Sequence, residues 1–225
     1  MKNLKEYIVE GIFDIDDNID NFDESIKDQI KRFLKDNFDG ASFCKISDKP
    51  NADGKYEVSS TRNVIVENIK ITSLTNGMFV WTTVGGKFDC YGCNSLKTLE
   101  GAPEKVVWYF SCSSCNSLTS LEGAPKEVGG GFSCYWCDSL TSLEGAPKKV
   151  GGDFDCEDCD SLTSLKGAPK EVGGEFKCSE CKSLTSLEGA PKKVGRDFDC
   201  RGCGREFTID DVKKVSNVKG NILAY

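Results

Sequence analysis

The chain has 225 residues and carries 29 lysine and arginine residues against 36 aspartate and glutamate residues, a formal net charge of -7. This acidic balance disfavours a nucleic-acid-binding protein, because such proteins normally carry an excess of basic residues. Histidine is absent, which excludes histidine-dependent triads, histidine metal ligands and the commonest general base. We therefore expect a protein that is not an enzyme and needs no cofactor.

The N-terminal sequence and the cysteine content predict a cytoplasmic protein. No apolar run approaches the roughly 18 residues that a transmembrane helix needs, so we expect no membrane partner. Met1 to Tyr7 lead into acidic and polar residues, and not into the apolar segment of a secretion signal. Thirteen cysteines in such a chain indicate a reducing compartment, where thiols stay free or bind metal.

Residues 1–40 form the first of four predicted regions and are expected to be helical. Apolar residues at helical spacing predict two helices, one from Leu4, Ile8 and Ile12 and one from Ile26, Ile30, Phe33 and Leu34. Asp23 is the expected cap of the second helix, and Gly40 lies just beyond its end. The acidic residues 14–20 are predicted to form a turn. They lack the glycine and the glutamate that a calcium-binding loop requires.

Residues 41–80 are predicted to form a strand-rich N-terminal cap around a turn at Asp53 and Gly54. This region contains a degenerate first repeat. Its apolar positions and one asparagine reproduce the spacing of Cys90, Cys93, Leu96 and Leu99 in the next copy; they are Ile65, Asn68, Ile71 and Leu74.

Residues 81–204 contain a repeat of 22 residues, which is the most informative feature of the chain. The clearest copies begin at Phe132, Phe154 and Phe176 and read Phe-x-Cys-x-x-Cys-x-Ser-Leu-Thr-Ser-Leu-x-Gly-Ala-Pro-Lys-x-Val-Gly-Gly-x. Copies from Phe88 and Phe110 diverge slightly. A fixed short period indicates one structural unit stacked on itself, because a single unit cannot bury its apolar face alone. The pattern predicts a β-rich solenoid with a mixed, partly helical N-terminal cap.

Residues 205–225 are predicted to form a C-terminal cap. Thr208 to Val215 read as a short helix in which Thr208 and Asp211 make a capping box. Val218, Ile222 and Ala224 then match the spacing of Val194, Phe198 and Cys200, and so predict a final strand without cysteine.

The order phenylalanine, cysteine, second cysteine and two leucines resembles the leucine-rich repeat, and most closely the Cys-x-Ser-Leu-Thr-Ser variety of bacterial surface proteins. The chain also resembles uncharacterised repeat proteins of gut bacteriophages, whose N-terminal region looks like Leu4-Lys5-Glu6-Tyr7-Ile8. The resemblance implies one parallel sheet with strands about 4.8 Å apart. The proline of Gly-Ala-Pro excludes an α-helix on the convex side, where we expect short 3₁₀ or extended segments.

Six Cys-x-x-Cys pairs, separated by 18 residues, allow three interpretations. The spacing alone fits a zinc site with four thiolate ligands. Disulfides are disfavoured by the compartment and by geometry. We favour a buried cysteine ladder, since each first cysteine lies two residues after an inward phenylalanine and cysteine is a small, habitually buried residue. Ile65, Asn68 and Ala224 stand at equivalent positions and provide no thiolate.

The candidate binding surface is the concave face, which carries the neighbours of the inward phenylalanines and cysteines. Aromatic residues are enriched at recognition hot spots, and acidic clusters attract basic partners. The candidate partner-binding residues are Tyr91, Tyr109, Tyr135, Trp136, Asp153, Asp155, Glu157, Asp158, Glu175, Glu180, Asp199 and Arg201.

These features favour a non-enzymatic interaction or structural module that binds a protein with a basic patch. The phage resemblance implies a role on the virion or against a host, in the host cytoplasm or on the particle. The alternatives are surface adhesion to a host protein or glycan, and a zinc-loaded structural protein.

Overall fold

The computed structural model describes residues 19–66 and 69–225. Its elements in chain order are α1 (Ile19–Asn37), β1 (Phe38–Asp39), a 3₁₀ turn (Ala41–Phe43), β2 (Cys44–Ile46), β3 (Tyr56–Ser60), β4 (Val64–Val66), β5 (Phe79–Val84), β6 (Phe88–Asp89), β7 (Lys105–Val106), β8 (Phe110–Ser111), β9 (Glu127–Val128), β10 (Phe132–Ser133), β11 (Lys149–Val150), β12 (Phe154–Asp155), β13 (Glu171–Val172), β14 (Phe176–Lys177), β15 (Lys193–Val194), β16 (Phe198–Asp199), α2 (Ile209–Val215), β17 (Asn217–Val218) and β18 (Ile222–Leu223).

Each repeat forms one coil of a β-solenoid and contributes a strand to each of two sheets. Within the described residues, the phenylalanine sheet runs β1-β4-β6-β8-β10-β12-β14-β16-β18 and the valine sheet runs β17-β15-β13-β11-β9-β7-β5-β3-β2. Coils stack in parallel and in register, so that Phe132 pairs with Phe154 and Val150 with Val172. The predicted solenoid is confirmed. The prediction of a single sheet is wrong, because the valine before each glycine corner also pairs with its equivalents in neighbouring coils.

The interior is built from columns of identical side chains. The phenylalanine rings stack at centroid distances of 5.8, 5.1, 5.2, 5.6 and 5.0 Å from Phe88 to Phe198, and each ring is fully buried. Columns of valine, leucine and cysteine fill the rest of the core. Offset stacking at such distances stabilises each aromatic pair by about 0.5–1.5 kcal/mol beyond its buried area. The repeat therefore gains its stability mainly from contacts between neighbouring coils.

Helix α1 packs against the first coils of the solenoid. Ile30 and Leu34 are buried, and the ring of Phe33 lies 6.0 Å from that of Phe79. The indole of Trp81 donates a hydrogen bond of 3.2 Å to the carbonyl of Leu74. The predicted second helix is confirmed, but the predicted start at Asp23 is wrong, since the helix already includes Ile19–Asn37. The predicted first helix and residues 14–18 of the predicted acidic turn lie outside the described residues.

The degenerate first repeat is present, with a register that differs from the prediction. Val64 pairs with Phe88 and Ile65 with Asp89, so Val66, and not Ile65, lies at the position of Cys90. Val66 is buried. Ile71 and Leu74 are buried as predicted, and Asn68 lies outside the described residues. The turn at Asp53 and Gly54 joins the antiparallel strands β2 and β3.

The C-terminal coil has the predicted form. Thr208 and Asp211 make the reciprocal hydrogen bonds of a capping box at the start of α2. Val218 then pairs with Val194, and Ile222 with Phe198, so one more coil closes both sheets without a cysteine.

Isolated turns replace helices along the leucine side of coils 88–204, as the proline predicts. Each turn is closed by a leucine N–H that donates to the carbonyl of the preceding second cysteine, at 2.9 Å for Leu140 and Cys137. Within the described part of the chain, neither helix combines the length and the apolar character needed to cross a membrane.

Candidate interaction face

The cysteine pairs lie inside the coils and form a hydrogen-bonded ladder. The thiol of each second cysteine donates to the carbonyl of the first cysteine one coil earlier, at 3.1 Å from Cys115 to Cys90 and 3.2 Å from Cys137 to Cys112. Burial raises the pKa of Cys156 well above its ordinary value, which disfavours the thiolate that metal binding or nucleophilic attack requires. The interpretation of these residues as a core ladder is confirmed by their burial and by these bonds.

The last second cysteine differs from the others in its environment. Cys203 is half-buried, and a hydrogen bond with Cys178 lowers the pKa of its thiol against the effect of burial. Among the described residues, no group of three or more ligating side chains is arranged to hold a metal ion.

The outer face of the phenylalanine sheet carries the predicted partner-binding residues at four positions of each coil. Three of them precede the phenylalanine by one residue or follow it by one or three residues, which are the outward positions of a strand. The fourth follows the phenylalanine by four residues and has a positive φ angle in every coil from 88 to 202. Its occupants are Gly92, Ser114, Trp136, Asp158, Glu180 and Gly202.

Aromatic side chains cover this outer face in the coils from 88 to 137. Trp108 is 71% exposed, Tyr91 51%, Trp136 47% and Tyr109 37%. The rings of Tyr135 and Trp136 stack at 4.6 Å, and the ring of Tyr109 lies over Gly131 of the next coil. We call these five aromatic residues the aromatic band. Four of them are among the nine exposed large hydrophobic residues of the described chain, which makes the band a local concentration of apolar surface.

Trp136 occupies its position against the preference of the backbone. Its φ angle is +57°, in the left-handed region where a bulky residue is uncommon and costs about 1–2 kcal/mol. Glycine stands at the equivalent positions 92 and 202, with φ angles of +71° and +67°. The exposed indole is therefore kept at a position where the repeat itself accepts glycine.

Serine side chains lie beneath the aromatic band. Ser111, Ser113 and Ser133 point outward from the sheet but are buried. Ser113 and Ser133 share a hydrogen bond of 2.7 Å between their hydroxyl oxygens. This polar layer satisfies itself, so the rings above it present the surface that a partner meets.

Carboxylates occupy the outward positions of the next coil, and we call Asp153, Asp155 and Glu157 the acidic row. Burial raises the pKa of Asp155 to about 6, against a hydrogen bond of 3.1 Å from the N–H of Glu157. Ser179 donates a hydrogen bond to the carboxylate of Glu157. The ammonium of Lys177 lies 3.9 Å from Glu157, so part of the row is already neutralised within the protein.

Two further predicted residues pair with each other. Arg201 donates to both carboxylate oxygens of Asp199, at 3.0 and 2.6 Å. Asp199 is only 8% exposed, and the expectation that it lies open on the face is therefore wrong. The bidentate pair removes its charge from the candidate surface. Glu175 is likewise paired, at 2.9 Å from Arg196.

Asp158 and Glu180 are the carboxylates that the fold leaves open. They lie in the same left-handed column as Trp136, one and two coils further along. The ion pairs found within residues 19–66 and 69–225 include neither of them. The structure thus brings Tyr135 and Trp136 beside Glu157 and Asp158, and these acids are among the groups that raise the pKa of Tyr135 after desolvation.

Trp108 and Lys177 belong to this surface and were not among the predicted residues. A sequence signal for Trp108 exists, since Val107 and Trp108 replace the two glycines that form the corner between the sheets in most other coils. The position of Lys177 among Asp155, Glu157 and Glu175 depends on the stacking of coils, which pairs it with Asp155.

The geometry defines a repeat protein of the β-solenoid class with one decorated sheet face. Comparison of the chain with models of protein families, with curated proteins and with solved structures finds no match.

Proposed function

We propose that this protein is a non-enzymatic interaction module that binds a protein partner through the aromatic band and the adjacent carboxylates. The observation that carries the proposal is the contrast between an invariant interior and a variable outer face. The interior columns repeat the same residues in coil after coil, whereas the outward positions change from aromatic to acidic along the stack. Solenoid faces of this kind are common interaction surfaces.

The charge of the face supports a partner with a basic patch. Asp158 and Glu180 have no ion-pair partner among the described residues, and a complementary positive patch would steer association and strengthen it. The aromatic band supplies the residue types that dominate binding energy at interfaces. Hydrophobic patches exposed beside polar residues are typical of interaction sites.

The finer assignments are part of the same proposal. The leucine-rich-repeat resemblance supports an adaptor role, and the resemblance to phage repeat proteins supports a phage-encoded protein that acts on the virion or on a host component in its cytoplasm. Catalysis has no support in the face, because its carboxylates pair with lysine and arginine or stand open to solvent.

Affinity capture with charge-reversed variants tests the proposal. The variant Asp158→Lys with Glu180→Lys reverses the two open charges of the face. Its matched control is Glu122→Lys with Glu144→Lys, which makes the same change in two adjacent coils on the exposed leucine side. Proteins captured from a lysate of phage-infected bacteria should be lost with the first variant and kept with the control.

The outcomes discriminate between the candidate functions. Equal capture by both variants would refute the assignment of the face. Loss of binding to an immobilised neutral glycan, with no protein captured, would favour adhesion. Zinc at one ion or more per chain in elemental analysis of the purified protein would favour the zinc-loaded alternative.

A further inference from the structure

We infer that the aromatic band and the acidic row together bind an extended segment of the partner that carries arginine at alternate positions. This inference rests on the proposed function and specifies the chemistry of the bound segment. It follows from the direction of the two features, their spacing and their charge.

The aromatic band runs along the strand direction. It extends from Trp108 and Tyr109, beside the corner before Phe110, to Tyr135 and Trp136 at the far end of the next coil. Six residues of strand separate these ends within a coil, which corresponds to about 20 Å. A segment of about six extended residues fits this length, lying parallel to the strands and above the buried serines.

The acidic row lies one coil to the side of the band. Because Phe132 pairs with Phe154, the row is displaced from Tyr135 and Trp136 by about 4.8 Å. Asp153, Asp155 and Glu157 stand at alternate positions along their coil, so their side chains repeat about every 7 Å. An extended peptide presents alternate side chains at the same interval, and three cations spaced by two residues would therefore match three carboxylates.

Arginine fits both features at once. Its flat guanidinium stacks on aromatic faces and binds carboxylates through two hydrogen bonds, whereas lysine provides a point charge only. The two coils hold six carboxylates against the cations Lys177 and Arg196, an excess that a neutral ligand would leave unused. The six are Asp153, Asp155, Glu157, Asp158, Glu175 and Glu180.

Three labelled peptides test the inference by fluorescence anisotropy on the full chain. The first is Gly-Arg-Ser-Arg-Ser-Arg-Gly, the second places the same arginines together as Gly-Arg-Arg-Arg-Ser-Ser-Gly, and the third replaces each arginine of the first with neutral citrulline. We expect the alternating peptide to bind at least tenfold more tightly than the blocked one. We expect the citrulline peptide to lose binding.

Two variants separate recognition from folding. Trp136→Gly removes the indole and places at this position the residue that the repeat uses at 92 and 202. It should therefore retain the thermal midpoint and lower the affinity for the alternating peptide about tenfold. Glu122→Lys on the leucine side should change neither quantity.

Specific results would overturn the inference. Equal affinity for the alternating and blocked peptides would mean that only net charge is recognised. Binding of cellohexaose that depends on Trp136, with no peptide bound, would assign the band to a glycan. If the peptides fail while partner capture still depends on Asp158 and Glu180, this inference is wrong and the proposed function stands. If capture ignores those charges, the proposed function itself is wrong.

Discussion

Replacement of Asp155 with serine should stabilise the protein at neutral pH and leave its stability at acidic pH unchanged. Burial raises the pKa of this carboxyl from 3.8 to about 6. The folded protein therefore holds the Asp155 proton to a higher pH than the unfolded chain does. As the pH rises through this window, the unfolded chain releases its proton first, and the free energy of unfolding falls until the pH exceeds about 6.

The magnitude follows from the size of the shift. A difference of about 2 pKa units corresponds to roughly 3 kcal/mol. This is an upper limit, because the side chain keeps partial solvent contact, and we expect about 1–2 kcal/mol after screening. Serine already stands at the equivalent positions 111 and 133, where Ser133 accepts from the N–H of Tyr135 as Asp155 does from Glu157.

Urea unfolding at pH 4.5 and pH 8 measures the effect. The gain of Asp155→Ser should appear at pH 8 and largely vanish at pH 4.5. Asp138→Ser, which alters an exposed aspartate, is the control and should stay within about 0.5 kcal/mol at both pH values. A gain of equal size at both pH values, or a loss at pH 8, would refute the argument that burial of this charge opposes folding.

Three further predictions concern the core, the thiols and the C-terminal coil. Phe154→Ala should lower the free energy of unfolding by about 3–5 kcal/mol, and Phe154→Leu by about 1–3 kcal/mol, because leucine fills most of the space but removes two stacked ring pairs; urea unfolding measures both. Eleven of the thirteen cysteines are buried, so Ellman's reagent should titrate at most two thiols before denaturation, Cys203 faster than Cys44, since burial raises the pKa of Cys44 to about 11. Asp211→Ala should cost about 1 kcal/mol by removing the capping box of α2, measured as a lower thermal midpoint.

Each of these predictions has a contradicting result. Equal losses for Phe154→Ala and Phe154→Leu would show that ring stacking contributes little to coil coupling. More than two reactive thiols in the native protein would contradict the buried ladder. An unchanged midpoint in Asp211→Ala would mean that packing of Val212 alone holds the last coil.

The repeat in the sequence was sufficient to predict the solenoid and its core. A period of 22 residues, with phenylalanine, cysteine and leucine at constant intervals, determines which side chains face inward, because every coil must bury the same positions against its neighbours. The inward orientation of Phe154 and Cys156 and the terminal pairing of Ile222 with Phe198 follow from this pattern alone. So do the excluded helix on the leucine side and the ladder position of the second cysteine.

Contacts between coils decided what the pattern left open. The second sheet forms because Val150 meets Val128 and Val172, which lie 22 residues away on each side. The same stacking buries Asp199 against Arg201 and places Trp136 beside Asp158. The charge and exposure of an outward residue depend on which side chains lie one coil above and below it, and a local sequence pattern does not contain that distance.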